Sequence, residues 1–294
     1  MGMNRKRRRG WSAREALFTS LLAACILIFA SPNAAHSQTT TFDPARSGQD
    51  DTAARAQRWQ ALQKAVFGQR TVENDTASLI TLDAPPRALD AALVPIGIEL
   101  APGKAVKSVW LIVDNNPGPL AGHFTFGPKA DPRSIKLRVR VNEYTYIHAV
   151  AETADGKLIA VEKFVKAAGG CSAPAGADDS EALKSMGLMK LKLLNAFSTS
   201  QPMQAQLMIR HPNFNGMQMN QTTRTYTQAR YIKSTDVTYN GNSVFHLDSD
   251  ISLATDPVIT FGFVPHEKGQ LKVIVQDSKN DKFDQSFDVP APVS

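Results

Sequence analysis

Cysteine is scarce in this sequence: its 294 residues hold two, Cys25 and Cys171. That excludes a small scaffold stapled by disulfides. Long hydrophobic runs are missing too. The most apolar stretch, Ala16 to Ala30, is 15 residues, short of the roughly 20 a membrane-spanning helix needs. The composition, 43% hydrophobic and 20% charged, argues against long disorder and against a multi-span membrane protein. An excess of one charge sign is also lacking once the charges are placed. The formal +6 comes largely from Arg5, Lys6, Arg7, Arg8, Arg9 and Arg14. With those and Glu15 set aside, 27 basic and 26 acidic residues remain, which excludes a polyanion such as nucleic acid as partner. No Gly-rich phosphate loop and no zinc-ligand spacing is present.

What is there begins with an address label. A basic segment from Arg5 to Arg9, the apolar stretch, and the small-x-small run Ala35-His36-Ser37 have the plan of a secretory signal over residues 1–37. The expectation is export to a bacterial periplasm with cleavage after Ser37. Arg7-Arg8-Arg9 is a poor twin-arginine signal because Gly10-Trp11 follows it. Leu22-Ala23-Ala24-Cys25 resembles a lipoprotein box, which leaves an anchor through Cys25 as the alternative; against it, the apolar run continues through Ile26-Leu27-Ile28-Phe29.

Cleavage after Ser37 leaves 257 residues and one cysteine, Cys171. An unpaired thiol in an oxidising compartment is a liability unless it is buried or used. Cys171 lies among Ala167-Ala168-Gly169-Gly170 and Ser172-Ala173-Pro174-Ala175-Gly176, small residues that read as a flexible linker over 167–182. The expectation is an exposed thiol, with Gly169 and Gly170 as the hinge that presents it.

On either side of this linker the patterns are those of strands. A helix is expected over 51–68, with Trp59, Leu62, Val66 and Phe67 on one face and Gly68 as its stop. It belongs to an N-terminal extension, 38–78. Over 79–166, short runs at Val94–Leu100, Val106–Val113, His123–Phe126, Ile135–Val141, Tyr144–Glu152 and Lys157–Val165 are bounded by turn residues, among them Asp155-Gly156. Over 183–294 the pattern repeats, with Asn240-Gly241 as a second hairpin signal. The fold class is therefore all-β: two immunoglobulin-like β-sandwiches of about 100 residues each, joined by the Gly/Ala/Pro linker.

The first sandwich resembles SoxY, the sulfur-carrier subunit of a periplasmic thiosulfate-oxidising system. The resemblance rests on Leu93-Val94-Pro95, Asp114-Asn115-Asn116-Pro117, His123-Phe124, His148-Ala149-Val150-Ala151, and Gly169-Gly170-Cys171. The second resembles SoxZ, through Ile209-Arg210-His211-Pro212, Asn215-Gly216, Tyr239-Asn240-Gly241, Asp250-Ile251-Ser252, Asp256-Pro257 and Asp277. Together they cover roughly residues 55–290. The resemblance implies a fused SoxYZ-like sulfur carrier that performs no chemistry itself. Cys171 would carry a covalent sulfur adduct and no other cofactor, and the partners would be periplasmic sulfur-oxidising enzymes. Fused carriers of this kind are also associated with quinoprotein (PQQ) dehydrogenase and cytochrome c systems. One departure stands out: SoxY ends at its cysteine, whereas here the chain runs on into a second domain. The arm would enter a partner as a doubled strand.

Other chemistries find less support. His123, His148, His211, His246 and His266 are scattered, and no motif places a base beside the thiol, so an enzyme is not expected. Met203, Met208, His211, Met217 and Met219 form a loose set of soft ligands for copper, although strand methionines usually fill core space; no resident metal is expected. An accessory or adaptor protein acting through its sandwich surfaces is the competing class. Lys163 and Lys166 are the cations expected to favour a Cys171 thiolate.

Overall fold

The helical spacing of Trp59, Leu62, Val66 and Phe67 produces α1 (Thr52–Phe67) as expected. It ends where Gly68 takes a positive φ of 66° and donates its N–H to the Lys64 carbonyl at 3.1 Å. The computed structural model describes residues 52–174, 179–196, 201–220 and 223–290. Residues 1–37, where a secretory signal and its cleavage site are expected, and Cys25 lie outside the described residues. Among the described residues no helix is long and apolar enough to cross a membrane.

Eight strands follow α1: β1 (Val72–Asn74), β2 (Ile80–Asp83), β3 (Val94–Leu100), β4 (Val106–Val113), β5 (Leu120–Phe126), β6 (Ala130–Val139), β7 (Thr145–Thr153) and β8 (Leu158–Val165). The short α2 (Asp179–Lys184) opens the second half. That half holds β9 (Met189–Leu193), β10 (Met203–Ile209), β11 (Ile232–Tyr239), β12 (Asn242–Ser249), β13 (Val258–Phe263), β14 (Gly269–Asp277) and β15 (Lys282–Val289). The fold is the expected all-β pair of sandwiches. Asn240 and Gly241 both have positive φ (47° and 78°), the backbone that a two-residue hairpin turn demands.

The two sandwiches are not independent. One sheet runs β1-β8-β7-β4-β5-β12-β11-β14-β15, and the facing sheet runs β2-β3-β6-β13-β10-β9. Edge strand β5 pairs antiparallel with edge strand β12, from Phe126↔Phe245 to Gly122↔Ser249. On the other layer β6 pairs with β13, with Thr260 opposite Lys136 and Phe263 opposite Ala130. Each half thus caps one edge of the other in each sheet, pairing the N–H and C=O rows that β5, β12, β6 and β13 would otherwise expose. Apolar packing crosses the same seam: Phe124 and Phe245 lie 5.5 Å apart, and Phe245 meets Phe261 edge-on at 5.0 Å. One core runs through both halves.

α1 covers the outer face of the longer sheet. Leu62 and Phe67 pack with Ile112, Val150, Leu158 and Ala160, and burying each large side chain is worth about 1.5–3 kcal/mol.

Candidate functional site

The chemistry gathers where the two halves meet. Asn116, in the turn after β4, is fully buried. Its Nδ2 donates to the Arg140 carbonyl and to Ser252 Oγ, each at 2.7 Å, and its Oδ1 accepts the Asn142 N–H at 2.9 Å. Ser252 Oγ in turn donates to the Gly118 carbonyl at 2.5 Å, and its carbonyl accepts the Arg140 N–H at 2.8 Å. One buried amide therefore ties the segment 140–142, which follows β6, in the first half to Ser252 of the second.

Residues 169–173 lie along that segment. The Gly169 N–H donates to the Asn142 carbonyl at 2.8 Å, and the Gly170 N–H to the Val141 carbonyl at 3.0 Å. From the other side comes the loop 211–218 of the second half. Asn215 Nδ2 donates to the Cys171 carbonyl at 2.7 Å, and Gln218 Nε2 to the Ala173 carbonyl at 3.2 Å. Arg140 closes the ring. Its Nη2 donates to Thr255 Oγ1 at 2.6 Å and to the Asn213 carbonyl at 3.1 Å, and its Nη1 lies 3.5 Å from the Gly170 carbonyl.

Cys171 is consequently buried, with 1% of its surface exposed. The expectation of an exposed thiol on a flexible linker is corrected here for residues 167–174. Small residues occupy this stretch because backbone packs against backbone. A Cβ on Gly170 would lie 2.1 Å from the Ala91 carbonyl oxygen and 2.6 Å from that of Val141. Gly170 is a close-approach glycine in the closed arm, and Gly169, at φ 81°, makes the turn before it. Ala167 is also buried.

Burial pushes the Cys171 thiol up to about 11, against an opposing pull from the Arg140 guanidinium. Arg140 is therefore the cation acting on the sulfur. Lys163 and Lys166, expected in that role, are exposed. Among the described residues no histidine is paired with the thiol.

The remaining residues singled out by sequence take other places. His211, buried in the second half, accepts the Asn213 N–H on Nδ1 at 3.1 Å. Burial holds its pKa down to about 4 despite Asp277, whose Oδ2 is 3.8 Å from Nε2. Asp277 is occupied by Arg230 Nε at 2.7 Å and by the N–H groups of Lys279 and Asp281. His246 sits between Asp236 and Asp248, while His123 stacks on Trp110; His266 is exposed. His148 is held by Asp114 at 2.9 Å and Glu162 at 2.8 Å, and Trp59 stacks on it at 3.7 Å. This last cluster borders a cleft of about 490 Å³ between α1 and strands β7 and β8. Burial raises the Asp114 carboxyl, and the group fixes α1 to its sheet. The methionines do not converge. Met203 and Met208 have opposite parity on β10, one in the core and one on the outer face, while Met219 is exposed.

Sequence reasoning missed Arg140, Asn213, Gln218 and Thr255 as parts of the site. It did single out Asn116, Asn215 and Ser252, as fragments of the resemblance, without the contacts that give them meaning.

A double β-sandwich with a cysteine docked at its internal seam is the class the fold defines. Comparison with family models gives the rest. Residues 63–171 match the model of "Sulfur oxidation protein SoxY", and residues 191–288 match that of "Sulphur oxidation protein SoxZ". The chain belongs to these families as a fused SoxYZ-like protein of the sulfur-oxidation carrier type, and the SoxY match ends on Cys171 itself. Comparison with curated proteins found no match. Among solved structures, the sulfur carrier protein SoxY from Chlorobium limicola f thiosulfatophilum is 23% identical. It covers 40% of this chain and 96% of its own, with a TM-score of 0.34. A superoxide reductase (neelaredoxin) from Ignicoccus hospitalis is 11% identical over 32% of this chain and 93% of its own, with a TM-score of 0.29.

Proposed function

We propose that this protein is a periplasmic carrier that holds sulfur intermediates covalently on Cys171 and presents them to oxidising enzymes, without catalysing their oxidation. The observation that carries this reading is the placement of Cys171. It is the last residue of the SoxY match, and the SoxZ-like half donates hydrogen bonds to its carbonyl from Asn215 and to the Ala173 carbonyl from Gln218. A merely structural cysteine would not need a clasp on its backbone from a second domain.

Because the thiol is buried, loading and unloading require the arm to leave its seat. Ala167 stays in the core and α2 begins at Asp179, so the released segment is a loop. Doubled back on itself, that length reaches no more than about 20 Å, at roughly 3.4 Å per residue. Partner enzymes must therefore accept a hairpin-like arm in a shallow or wide cleft. Of the two partner classes, sulfur-oxidising enzymes fit the family; association with a quinoprotein dehydrogenase is the competing assignment.

The test is Cys171→Ser in periplasmic extract, with thiosulfate-dependent electron output as readout. A carrier loses that output entirely while still binding its partner through the unchanged sandwich surface. Retained output places the protein among adaptors instead.

A further inference from the structure

Arg140 is a buried cation without an anion. It is 1% exposed, and a guanidinium keeps its proton at any physiological pH. Its hydrogen-bond acceptors are all neutral: Thr255 Oγ1, and the carbonyls of Asn213, Pro212 and Gly170. Its Nε is buried with no partner. Among the described residues no carboxylate forms an ion pair with it; Asp90 acts on it only at longer range. The half-buried Arg230 is treated differently, since it reaches both Asp277 and Asp281. Leaving one buried charge uncompensated is among the costliest arrangements a fold contains, and here it faces the one cysteine of the seam.

We propose that the Arg140 guanidinium and the seam around it form an anion subsite, in which Arg140 positions the negatively charged end of a sulfur adduct on Cys171 while the arm is closed. This deepens the carrier reading and rests on it. The adduct class follows from charge: persulfide, S-sulfonate and S-thiosulfonate ends are anionic near neutral pH. The free thiol, pushed up to about 11, is not. An unloaded arm thus leaves Arg140 uncompensated, and an anionic cargo completes the site. The loaded arm is held shut more tightly than the empty one, which protects a labile sulfur adduct between enzymes.

The test uses the full chain loaded chemically in two ways. With tetrathionate, the Cys171 thiolate attacks an inner sulfur, thiosulfate leaves, and Cys–S–S–SO₃⁻ forms. With methyl methanethiosulfonate, methanesulfinate leaves and the neutral Cys–S–S–CH₃ forms. Amide hydrogen exchange at Cys171 and Ser172 is then compared. The sulfonate-capped arm is expected to be about tenfold better protected than the methyl-capped arm, a charge-assisted contact being worth that much. Arg140→Met is expected to abolish the difference, and Arg140→Lys to keep part of it. Equal or reversed protection in the wild-type chain overturns the proposal whether or not the variants fold. Since loading is chemical, that result leaves the carrier reading untouched. A chain that never carries sulfur in the cell overturns the carrier reading and with it the role of the subsite, even where the sulfonate-capped arm is the better protected.

Discussion

Gly170→Ala is expected to unseat the arm and expose Cys171. The added Cβ meets the carbonyl oxygens of Ala91 at 2.1 Å and Val141 at 2.6 Å, both backbone atoms of the seam. The Val141 N–H is itself bonded to the Ala91 carbonyl at 2.8 Å, so neither atom gives way without breaking that contact. The arm must move instead. Once in water the thiol returns from about 11 toward its ordinary 9.0. At pH 8 the thiolate fraction then rises about a hundredfold, and alkylation by iodoacetamide accelerates by at least that factor. Global stability falls by about 1–3 kcal/mol, the range for overpacking a tight site. Gly169→Ala is the control. Its Cβ meets only Ser172 Oγ at 3.8 Å, so its cost is the roughly 1 kcal/mol of a left-handed backbone. Alkylation of Gly170→Ala at the wild-type rate would contradict the closed packing.

Gly127→Ala is expected to damage the join between the halves. Gly127 follows β5 and donates its N–H to the Val244 carbonyl at 2.8 Å. A Cβ there falls 2.3 Å from the Ser243 carbonyl oxygen and 2.5 Å from its carbon. Both belong to β12, which the β5 edge must approach to continue the sheet. Because sheets and core are shared, the wild-type chain is expected to melt in one calorimetric transition. The variant is expected to melt about 5–10 °C lower, from a loss of roughly 3 kcal/mol. Two separate transitions in the wild type would show that the halves unfold independently and that the seam adds little.

Much of this architecture was legible from residue patterns. β4 is a β-branched run closed by Pro102-Gly103 before it and Asn116-Pro117 after it, and α1 shows its apolar spacing openly. β1 was not legible, because three residues paired in parallel with β8 leave no periodicity. The fusion of the two sheets escaped for a different reason. An edge strand that meets another domain alternates just as one that meets water does, and pairing of β5 with β12 is set by tertiary geometry alone.

The site was half legible. Cysteine after diglycine stood out, but its setting was misread. Small side chains permit both flexibility and close backbone packing, and composition does not separate the two. Arg140 was hidden by parity. Lys136 and Arg138 on β6 face solvent, and strict alternation places Arg140 beside them. β6 ends at Val139, however, and the chain then turns into the seam and carries Arg140 inward. The Asn215 and Gln218 contacts depend on a loop whose Asn213 adopts a positive φ of 44°, which nothing in the local pattern demands.

The most direct measurement is intact-protein mass spectrometry of the chain purified from its native compartment without reductant, beside Cys171→Ser. A sulfur-containing mass increment that reductant removes and the variant lacks is the expected result, and its size gives the cargo. A bare thiol under every growth condition, including growth on reduced sulfur compounds, would contradict the carrier function.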